Sequence, residues 1–298
     1  MFVAALRALA LAVAAAPRVT VRMSRREKVF ASALLGAVDD GSVRKSVLFA
    51  DEPVFGDVDV GCSEVHIYGR DSTIVDIARL LLSEVRVRAH GSGLGIVVVG
   101  GGADADQAGE AIVESVVPFD QRGCLSPRVV FVGGGMQRCM DVAHALVNAL
   151  ERWERLVPIG DMSPEERGLI TRYRDTCSIV GKFVPAGGGG VGVTDGQLWV
   201  APVGRCVHVV GCNEGTVGGA IAPLRNAVTA VGVEGREHDC VVAAVLREFS
   251  GVRCSGAASM QRPPLDGPVD MRRSGLLTAA EVVQADGFSQ GWWEIGAV

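Results

Sequence analysis

The chain has 298 residues, 48% of them apolar, with a formal net charge of −5 and a sequence pI near 5.6. This acidic balance argues against a nucleic-acid-binding protein, which usually presents a basic face. No stretch reaches the roughly 18 uncharged apolar residues of a membrane-spanning helix, so a globular chain of about two lobes without a membrane span is predicted.

The N-terminal third alternates between predicted helices and strands. Residues 1–17 predict a short apolar helix that ends at Pro17, and a secretory signal peptide is the alternative interpretation of the same segment. The elements that follow are strand Val19–Arg22, helix Arg25–Val38, strands Ser46–Phe49 and Glu64–Tyr68, and helix Ser72–Leu82. This alternation indicates a parallel sheet.

The same alternation continues through the rest of the chain. The predicted elements are strands Val85–Ala89 and Ile96–Val99, helix Ala103–Val116, strand Arg128–Val132, helix Met136–Leu156, a turn or flexible loop at Gly187–Val193, and strands Gln197–Ala201 and Cys206–Val210. Ser163, Pro164 and Glu166 form the pattern of a helix start, with Ser163 as N-cap and Glu166 closing a capping box.

The eight cysteines are scattered, without a CxxC pair. This pattern suggests neither a zinc site nor a disulfide scaffold, and it fits the reducing cytoplasm. Most of the cysteines are expected to be small core residues. Cys124 differs, because it follows Gly123 in a loop that runs into an apolar strand. We predict that it is a nucleophile, with space beside Gly123 for a carbonyl group and a backbone N–H to stabilise its oxyanion. A buried structural cysteine is the alternative.

Two segments resemble a known family. FDQRGCLSPRVVFV (119–132) resembles the active-site segment of the LuxC-like acyl-CoA reductases, a branch of the aldehyde dehydrogenase superfamily, and MQRPPLD (260–266) resembles the family's closing motif. The resemblance implies an α/β, aldehyde-dehydrogenase-like fold. It would consist of a Rossmann-like cofactor lobe over residues 1–88, an α/β catalytic lobe over residues 89–275, and a C-terminal tail over residues 276–298.

The resemblance also implies site residues. His90 stands where ordinary aldehyde dehydrogenases carry a general-base glutamate, and a histidine there can move protons near neutral pH. A structural histidine is the alternative. Arg22 and Ser24 match the family's adenosine-ribose contacts, and an arginine at that position favours NADPH over NADH. The third implied set of residues, at the turn for the cofactor diphosphate, is Gly69, Ser72 and Thr73.

The implied function is NADPH-dependent reduction of an acyl-CoA or acyl-protein thioester to an aldehyde, through an acyl-enzyme on Cys124. The alternatives are a coenzyme-A-acylating aldehyde dehydrogenase that works oxidatively, and a catalytically silent relative that binds a nucleotide or a partner. A homo-oligomer or an acyl-transferring partner would be expected. The chain departs from the family in two places. Its N-terminal region is shorter, as in a fragment or a chain that has lost those elements, and Gly267–Met271 replaces the usual Trp-His-His-Asp-Gly type of stretch.

Overall fold

The computed structural model describes residues 2–23, 28–50, 64–69, 71–91, 93–212, 217–224, 227–235, 252–262, 277–278 and 280–281. These residues divide into two compact units. The first comprises the described residues up to Gly91 together with 277–278 and 280–281, and the second comprises the described residues from 93 to 262. Within the described ranges, no helix combines the length and apolar character needed to cross a membrane.

The first unit contains short strands and helices. They are α1 (Phe2–Ala15), β1 (Val19–Arg22), α2 (Phe30–Gly36), α3 (Gly41–Ser46), β2 (Val47–Ala50), β3 (Glu64–Tyr68), α4 (Asp71–Ala78), β4 (Arg86–His90) and, from the C-terminal region, β12 (Leu277–Thr278). Strand β1 pairs in parallel with β2, and β3 pairs in parallel with β4. Strand β12 adds an antiparallel edge to β4.

The β3–β4 ladder has one apolar and one polar face. Successive side chains of a strand point to opposite sides of the sheet. Ile67 of β3 and Val87 of β4 therefore pack against Ile74 and Ala78 of α4. The alternate positions are polar or aromatic: Glu64, His66, Tyr68, Arg86, Arg88 and His90. This alternation places His90 among titratable side chains.

The second unit is built on a seven-stranded sheet. Its elements are β5 (Leu94–Val99), α5 (Ala105–Val116), β6 (Pro127–Gly133), α6 (Gly135–Leu156), α7 (Pro164–Val180), β7 (Lys182–Ala186), β8 (Gly189–Thr194), β9 (Cys206–Cys212), α8 (Val217–Ile221), β10 (Val228–Glu234) and β11 (Arg253–Gly256). The strand order is β11-β10-β5-β6-β9-β8-β7, with every pair parallel except β7–β8. Strands β5 and β6 are buried along their whole length, as is typical of a parallel sheet covered on both faces.

Most predicted elements of the second unit are confirmed, with small shifts at their ends. The helix start at Ser163 is confirmed, because the Ser163 and Glu166 side chains form the reciprocal capping box that begins α7. Two predictions were wrong. The glycine-rich segment Gly187–Val193 is not a loop throughout, since β8 begins at Gly189, and Gln197–Ala201 forms no strand. The expected parallel sheet also carries one antiparallel pair, β7–β8, at its edge.

Candidate active site

Cys124 lies in residues 123–126, a short segment that leads into the central strand β6 and is called the cysteine link below. The Cys124 residue is half-buried, whereas Gly123 and Ser126 on either side are buried. The Ser126 N–H donates to the Gly123 carbonyl at 3.1 Å, which closes a turn around the thiol. The Thr229 hydroxyl of β10 also lies within hydrogen-bonding distance of the Cys124 carbonyl. The backbone at Cys124 is therefore held by its own turn and by a neighbouring strand.

Strand β5 also contacts the cysteine link, through Gly95. The Gly95 N–H donates to the Ser126 carbonyl at 2.9 Å. A β-carbon on Gly95 would lie 2.5 Å from the Leu125 carbonyl oxygen and 2.7 Å from Cε of Met260. No side chain fits in this space. Glycine at position 95 therefore allows the backbone of the cysteine link to pack directly against β5.

The side of Gly123 on which a β-carbon would lie is occupied by protein. A β-carbon on Gly123 would lie 3.2 Å from Oγ of Ser126 and 3.4 Å from Nε2 of Gln261. The Gln261 amide donates to the Ser115 carbonyl at 3.1 Å and to Oγ of Ser126. The FDQRGCLSP segment and the start of the MQRPPLD segment thus meet at this point, while residues 263–266 of the second segment lie outside the described residues.

A left-handed turn precedes the cysteine link. Phe119, Asp120 and Gln121 have φ values of 56°, 49° and 65°. This conformation costs a non-glycine residue about 1–2 kcal/mol. Side-chain bonds of Gln121 offset the cost: its amide donates to the Pro127 carbonyl at 2.7 Å and the Cys206 carbonyl at 2.6 Å, and its Oε1 accepts from the Cys206 N–H at 3.0 Å. The buried Gln121 side chain therefore ties the turn to β6 and β9.

Ion pairs hold the same turn on its other side. Asp120 pairs with the buried Arg205 guanidinium at 2.7 Å, and Arg205 also pairs with Glu154 of α6 at 2.6 Å. Arg122 pairs with Glu166 at 2.9 Å, and the hydrogen bond from Arg122 is the main cause that lowers the pKa of Glu166 to about 2. Sequence reasoning did not assign Asp120 and Gln121, although both stand in the FDQRGC motif, and Arg205 carried no sequence signal.

Three of the other described cysteines fit the expectation of core residues, whereas Cys212 and Cys254 are half-buried like Cys124. Cys139, Cys177 and Cys206 are buried, and desolvation raises the pKa of the Cys177 thiol to about 11 and that of Cys206 to about 12. Burial also raises the pKa of the Cys254 thiol. A raised pKa disfavours the nucleophilic thiolate. Cys62 and Cys240 lie outside the described residues. Within the part of the chain that the structure describes, no group of His, Cys, Asp and Glu side chains could hold a metal ion.

His90 ends β4 in the first unit and lies in an ordered cluster. Its ring stacks on that of Tyr68, with centroids 4.1 Å apart and planes 4° apart. Its Nε2 lies 3.3 Å from Nδ1 of His66, whose Nε2 lies 2.9 Å from Oε1 of Glu64. Arg88 donates to the same Glu64 oxygen. The His90 cluster, which comprises Glu64, His66, Tyr68, Arg88 and His90, belongs to the first unit, whereas Cys124 belongs to the second.

Of the histidines other than His66 and His90, two lie within the described residues, His144 and His208. His208 is fully buried, with Nδ1 3.0 Å from the Tyr173 hydroxyl and Nε2 2.9 Å from the Thr194 hydroxyl. Burial lowers the pKa of His208 to about 4, so this ring is neutral at pH 7. His144 is exposed on α6, and His238 lies outside the described residues.

The predicted cofactor residues lie in separate parts of the first unit. Arg22 is the exposed last residue of β1, and Ser24 lies outside the described residues. Gly69 directly follows β3, and among the described residues a β-carbon there would touch only Thr73, at an ordinary 3.7 Å.

The start of α4 differs from the prediction. The helix begins at Asp71, so Ser72 and Thr73 lie inside its first turn and neither is the N-cap. Both are exposed and stand next to the N-terminal amides, which favour an anion. The Asp71 carboxylate in the same turn opposes that preference by its charge. The first turn of α4 therefore combines amides that favour a phosphate with a carboxylate that opposes one.

The architecture is that of the aldehyde dehydrogenases. The chain superposes on Staphylococcus aureus AldH in a substrate-bound state with a TM-score of 0.64 and 12% identity, covering 90% of this chain and 63% of that one. It superposes on a Thermus 1-pyrroline-5-carboxylate dehydrogenase with bound NAD with a TM-score of 0.58 and 15% identity, covering 88% and 56%. Bradyrhizobium japonicum proline utilization A gives a TM-score of 0.60 and 16% identity, covering 88% and 29%. The chain therefore has the aldehyde dehydrogenase fold and spans at most 63% of the length of these three proteins.

The sequence narrows the assignment further. The family model of the LuxC acyl-CoA reductases matches residues 18–214, more than half of the chain, and this range includes both His90 and Cys124. The chain belongs to the LuxC acyl-CoA reductase family. A comparison with curated protein sequences found no significant match.

Proposed function

We propose that the protein reduces an acyl thioester, either acyl-CoA or an acyl-protein thioester, to an aldehyde through an acyl-enzyme on Cys124. The observation that carries this proposal is the cysteine link within the family match. Cys124 is half-buried, and its backbone is fixed from two sides by the Ser126–Gly123 turn and the Thr229 hydroxyl. A thiol that reacts with a carbonyl group needs both accessibility and a fixed orientation.

The first half of the proposed reaction is acyl transfer. The Cys124 thiol gives its proton to His90, and the thiolate attacks the carbonyl carbon of the thioester. The carbon–sulfur bond to coenzyme A breaks, a new thioester to Cys124 forms, and His90 returns the proton to the departing thiolate. Because one thioester replaces another, this step needs no activated water, which agrees with histidine in place of the general-base glutamate.

The second half is reduction. We assign Arg22, Gly69, Ser72 and Thr73 to a nicotinamide dinucleotide, which when bound supplies a hydride to the acyl carbon. The Arg22 guanidinium favours NADPH, because its planar donors suit a 2′-phosphate. A backbone N–H of the cysteine link stabilises the oxyanion. His90 takes up a second proton from water and supplies it to the Cys124 sulfur as the hemithioacetal breaks down, which leaves a free aldehyde and a free thiol. Cytoplasmic location and a homo-oligomer or acyl-transferring partner belong to the same proposal.

Intact-mass spectrometry tests this function. The purified chain is incubated with tetradecanoyl-CoA, then with NADPH or NADH, beside the variants Cys124→Ala and Cys254→Ala. Cys254 is the matched control, because it is also half-buried but its thiol pKa is raised by burial. We expect a tetradecanoyl adduct on the wild type and on Cys254→Ala, absent from Cys124→Ala, and discharged to tetradecanal faster by NADPH than by NADH.

Each other outcome separates the alternatives. An adduct that neither nicotinamide discharges would refute the reductase and support a silent, acyl-binding relative. Formation of acyl-CoA from tetradecanal, coenzyme A and oxidised cofactor, with no reduction in the opposite direction, would support the oxidative dehydrogenase. An adduct that persists in Cys124→Ala would overturn the assignment of the nucleophile.

A further inference from the structure

The amide group of Gln261 touches both ends of the turn that carries Cys124. The Ser126 nitrogen lies 3.1 Å from the Gly123 carbonyl oxygen and closes this turn, in which Cys124 is the second residue. Gln261 donates to Oγ of Ser126, the last residue of the turn. At the other end, a β-carbon on Gly123 would lie 3.4 Å from both Nε2 and Oε1 of Gln261, so the amide group lies directly beside the Gly123 backbone. One side chain thus restrains the first and the last residue of the cysteine link.

The partners of Gln261 fix which way its amide group faces. The oxygen and nitrogen of a glutamine amide have nearly the same shape, so their hydrogen-bond partners decide between the two orientations. The Ser115 carbonyl can only accept, and the amide atom 3.1 Å from it must therefore be Nε2. The second N–H of Nε2 points to Oγ of Ser126. Both amide protons are thus used within the protein, and a rotated amide group would lose both bonds.

The backbone around Gln261 is also held. The Arg253 guanidinium donates to carbonyl groups on both sides of Gln261, those of Ser259 at 2.9 Å, Met260 at 2.8 Å and Arg262 at 3.1 Å. The Met260 side chain is fully buried and packs against two glycines, since a β-carbon on Gly95 or on Gly232 would lie 2.7 Å from it. Gln261 therefore reaches the cysteine link from a backbone that is anchored to β5 and β10.

We propose that Gln261 is a positioning residue for Cys124. Its two contacts with the cysteine link keep the Cys124 thiol and the backbone N–H that stabilises the oxyanion in one relative orientation. This inference rests on the proposed function, in which both groups act on the same carbonyl group. The restraint matters because Gly123 has no side chain to limit its backbone, and because an oxyanion donor must lie about 2.7–3.1 Å from the developing charge.

Substitution of Gln261 by methionine tests the role of the two N–H donors. Methionine is unbranched and similar in length to glutamine, but its side chain has no N–H group. At saturating tetradecanoyl-CoA, acylation of Cys124 in Gln261→Met should be about 10- to 100-fold slower, because misplacement of a reacting group by about 1 Å costs about 10²-fold. The half-saturating concentration of tetradecanoyl-CoA should not change, because Gln261 acts on the nucleophile. Gln137→Met, which removes an exposed donor to Asp141 on α6, is the matched control and should acylate at the wild-type rate.

Ser126→Ala separates the two hydrogen bonds of Gln261. It removes the acceptor on the cysteine link and leaves the bond to the Ser115 carbonyl. We expect a smaller loss of acylation rate than in Gln261→Met, and no additional loss when the two substitutions are combined, since residues that act through a shared hydrogen bond are not additive. Losses that multiply in the double variant would show that the two side chains act separately, and they would overturn the proposal.

Alkylation by iodoacetamide distinguishes positioning from a general change in the thiol. This reaction requires the Cys124 thiolate but forms no oxyanion. The alkylation rate of Cys124, measured by peptide mass spectrometry, should therefore change by less than about threefold in Gln261→Met. An equal fall in the alkylation and acylation rates would mean that the substitution alters the thiol itself, which would refute the positioning role.

Hydrogen exchange keeps this inference separate from the proposed function. The Ser126 N–H, which closes the turn, should exchange faster in Gln261→Met than in the wild type, whereas the N–H of Val130 in the buried strand β6 is the internal reference and should not change. If the wild type forms no acyl adduct, the proposed function fails, and an unchanged exchange rate at Ser126 would then show separately that Gln261 does not restrain the turn. If the wild type is acylated and Gln261→Met reacts at the same rate, the positioning role fails while the proposed function stands.

Discussion

Replacing Asp120 by Ala is predicted to destabilise the second unit strongly, because Asp120 holds the turn that leads to Cys124. Oδ1 of Asp120 accepts from Nε of Arg205 at 3.0 Å and from Nη2 at 2.7 Å, and Oδ2 accepts from the Gly160 N–H at 3.0 Å. The Arg205 side chain is only 3% exposed. Asp120→Ala leaves this guanidinium buried with fewer partners.

The magnitude follows from the partners that remain. Breaking a buried ion pair by removing one member costs about 3–5 kcal/mol. Glu154 still pairs with Arg205 at 2.6 Å and the Val157 carbonyl still accepts from it at 2.8 Å, so the lower end of that range applies, about 3 kcal/mol. Asp120 also has φ 49°, a conformation that Asp tolerates better than Ala, which adds up to about 1 kcal/mol.

Urea unfolding followed by tryptophan fluorescence and circular dichroism measures the loss. With a denaturant slope of about 3 kcal/mol per molar, the midpoint should fall by about 1 M. Asp120→Gly should recover the backbone part, because glycine adopts positive φ freely, and should still lose the ion pair. Asp175→Ala breaks an exposed pair with Arg174 and should change stability by less than about 1 kcal/mol. An Asp120→Ala loss no larger than that of Asp175→Ala would refute the reasoning.

Two other predictions test the packing around the cysteine link and a buried histidine. Gly95→Ala should slow acylation of Cys124 and cost about 1–3 kcal/mol of overpacking, because the new β-carbon would lie 2.5 Å from the Leu125 carbonyl oxygen. Gly219→Ala is the control, because beyond its chain neighbours and its own helix backbone no described residue has an atom within 4 Å of its β-carbon. Equal effects of the two substitutions in urea unfolding and in the acylation assay would disprove the close contact. Burial lowers the pKa of His208 to about 4, so as the pH falls the unfolded chain binds a proton at this histidine before the folded chain does. The free energy of unfolding is therefore highest above about pH 6.5 and declines by about 3 kcal/mol toward pH 4. His208→Gln should remove this part of the pH dependence of urea unfolding and His144→Gln should not; identical pH profiles for wild type and His208→Gln would contradict it.

Local patterns in the sequence predicted helices and strands correctly where the local conformational preference agrees with the tertiary packing. The Ser163 capping box starts α7 as expected, because all its partners lie within four residues. The buried strands β5 and β6 were visible as apolar runs. These signals are local, and the structure confirms them because the local preference and the tertiary packing favour the same conformation.

The glycine-rich segment shows why another prediction was wrong. Glycines usually favour turns, yet Gly189 and Gly192 lie within β8. A β-carbon on Gly192 would lie 2.4 Å from the Tyr173 hydroxyl, and one on Gly189 would lie 2.4 Å from the Arg205 carbonyl oxygen. These glycines are required by close packing against α7 and the start of β9. Such a requirement arises from distant residues, so no local pattern of residues 187–193 could indicate it.

The sequence also predicted only a part of the candidate site. The sequence motif identified Cys124, but most of what holds it came from remote positions: Gly95 by its small size, Thr229 by its hydroxyl, and Arg205 by its pair with Asp120. Their role is to bind backbone or to leave space, and such roles carry no characteristic spacing. His90 is similar, since its partner His66 lies on a neighbouring strand and becomes adjacent only through the β3–β4 register. A motif therefore locates the reactive group, whereas the residues that hold the cysteine link and the His90 cluster are brought together by strand pairings that the sequence alone did not specify.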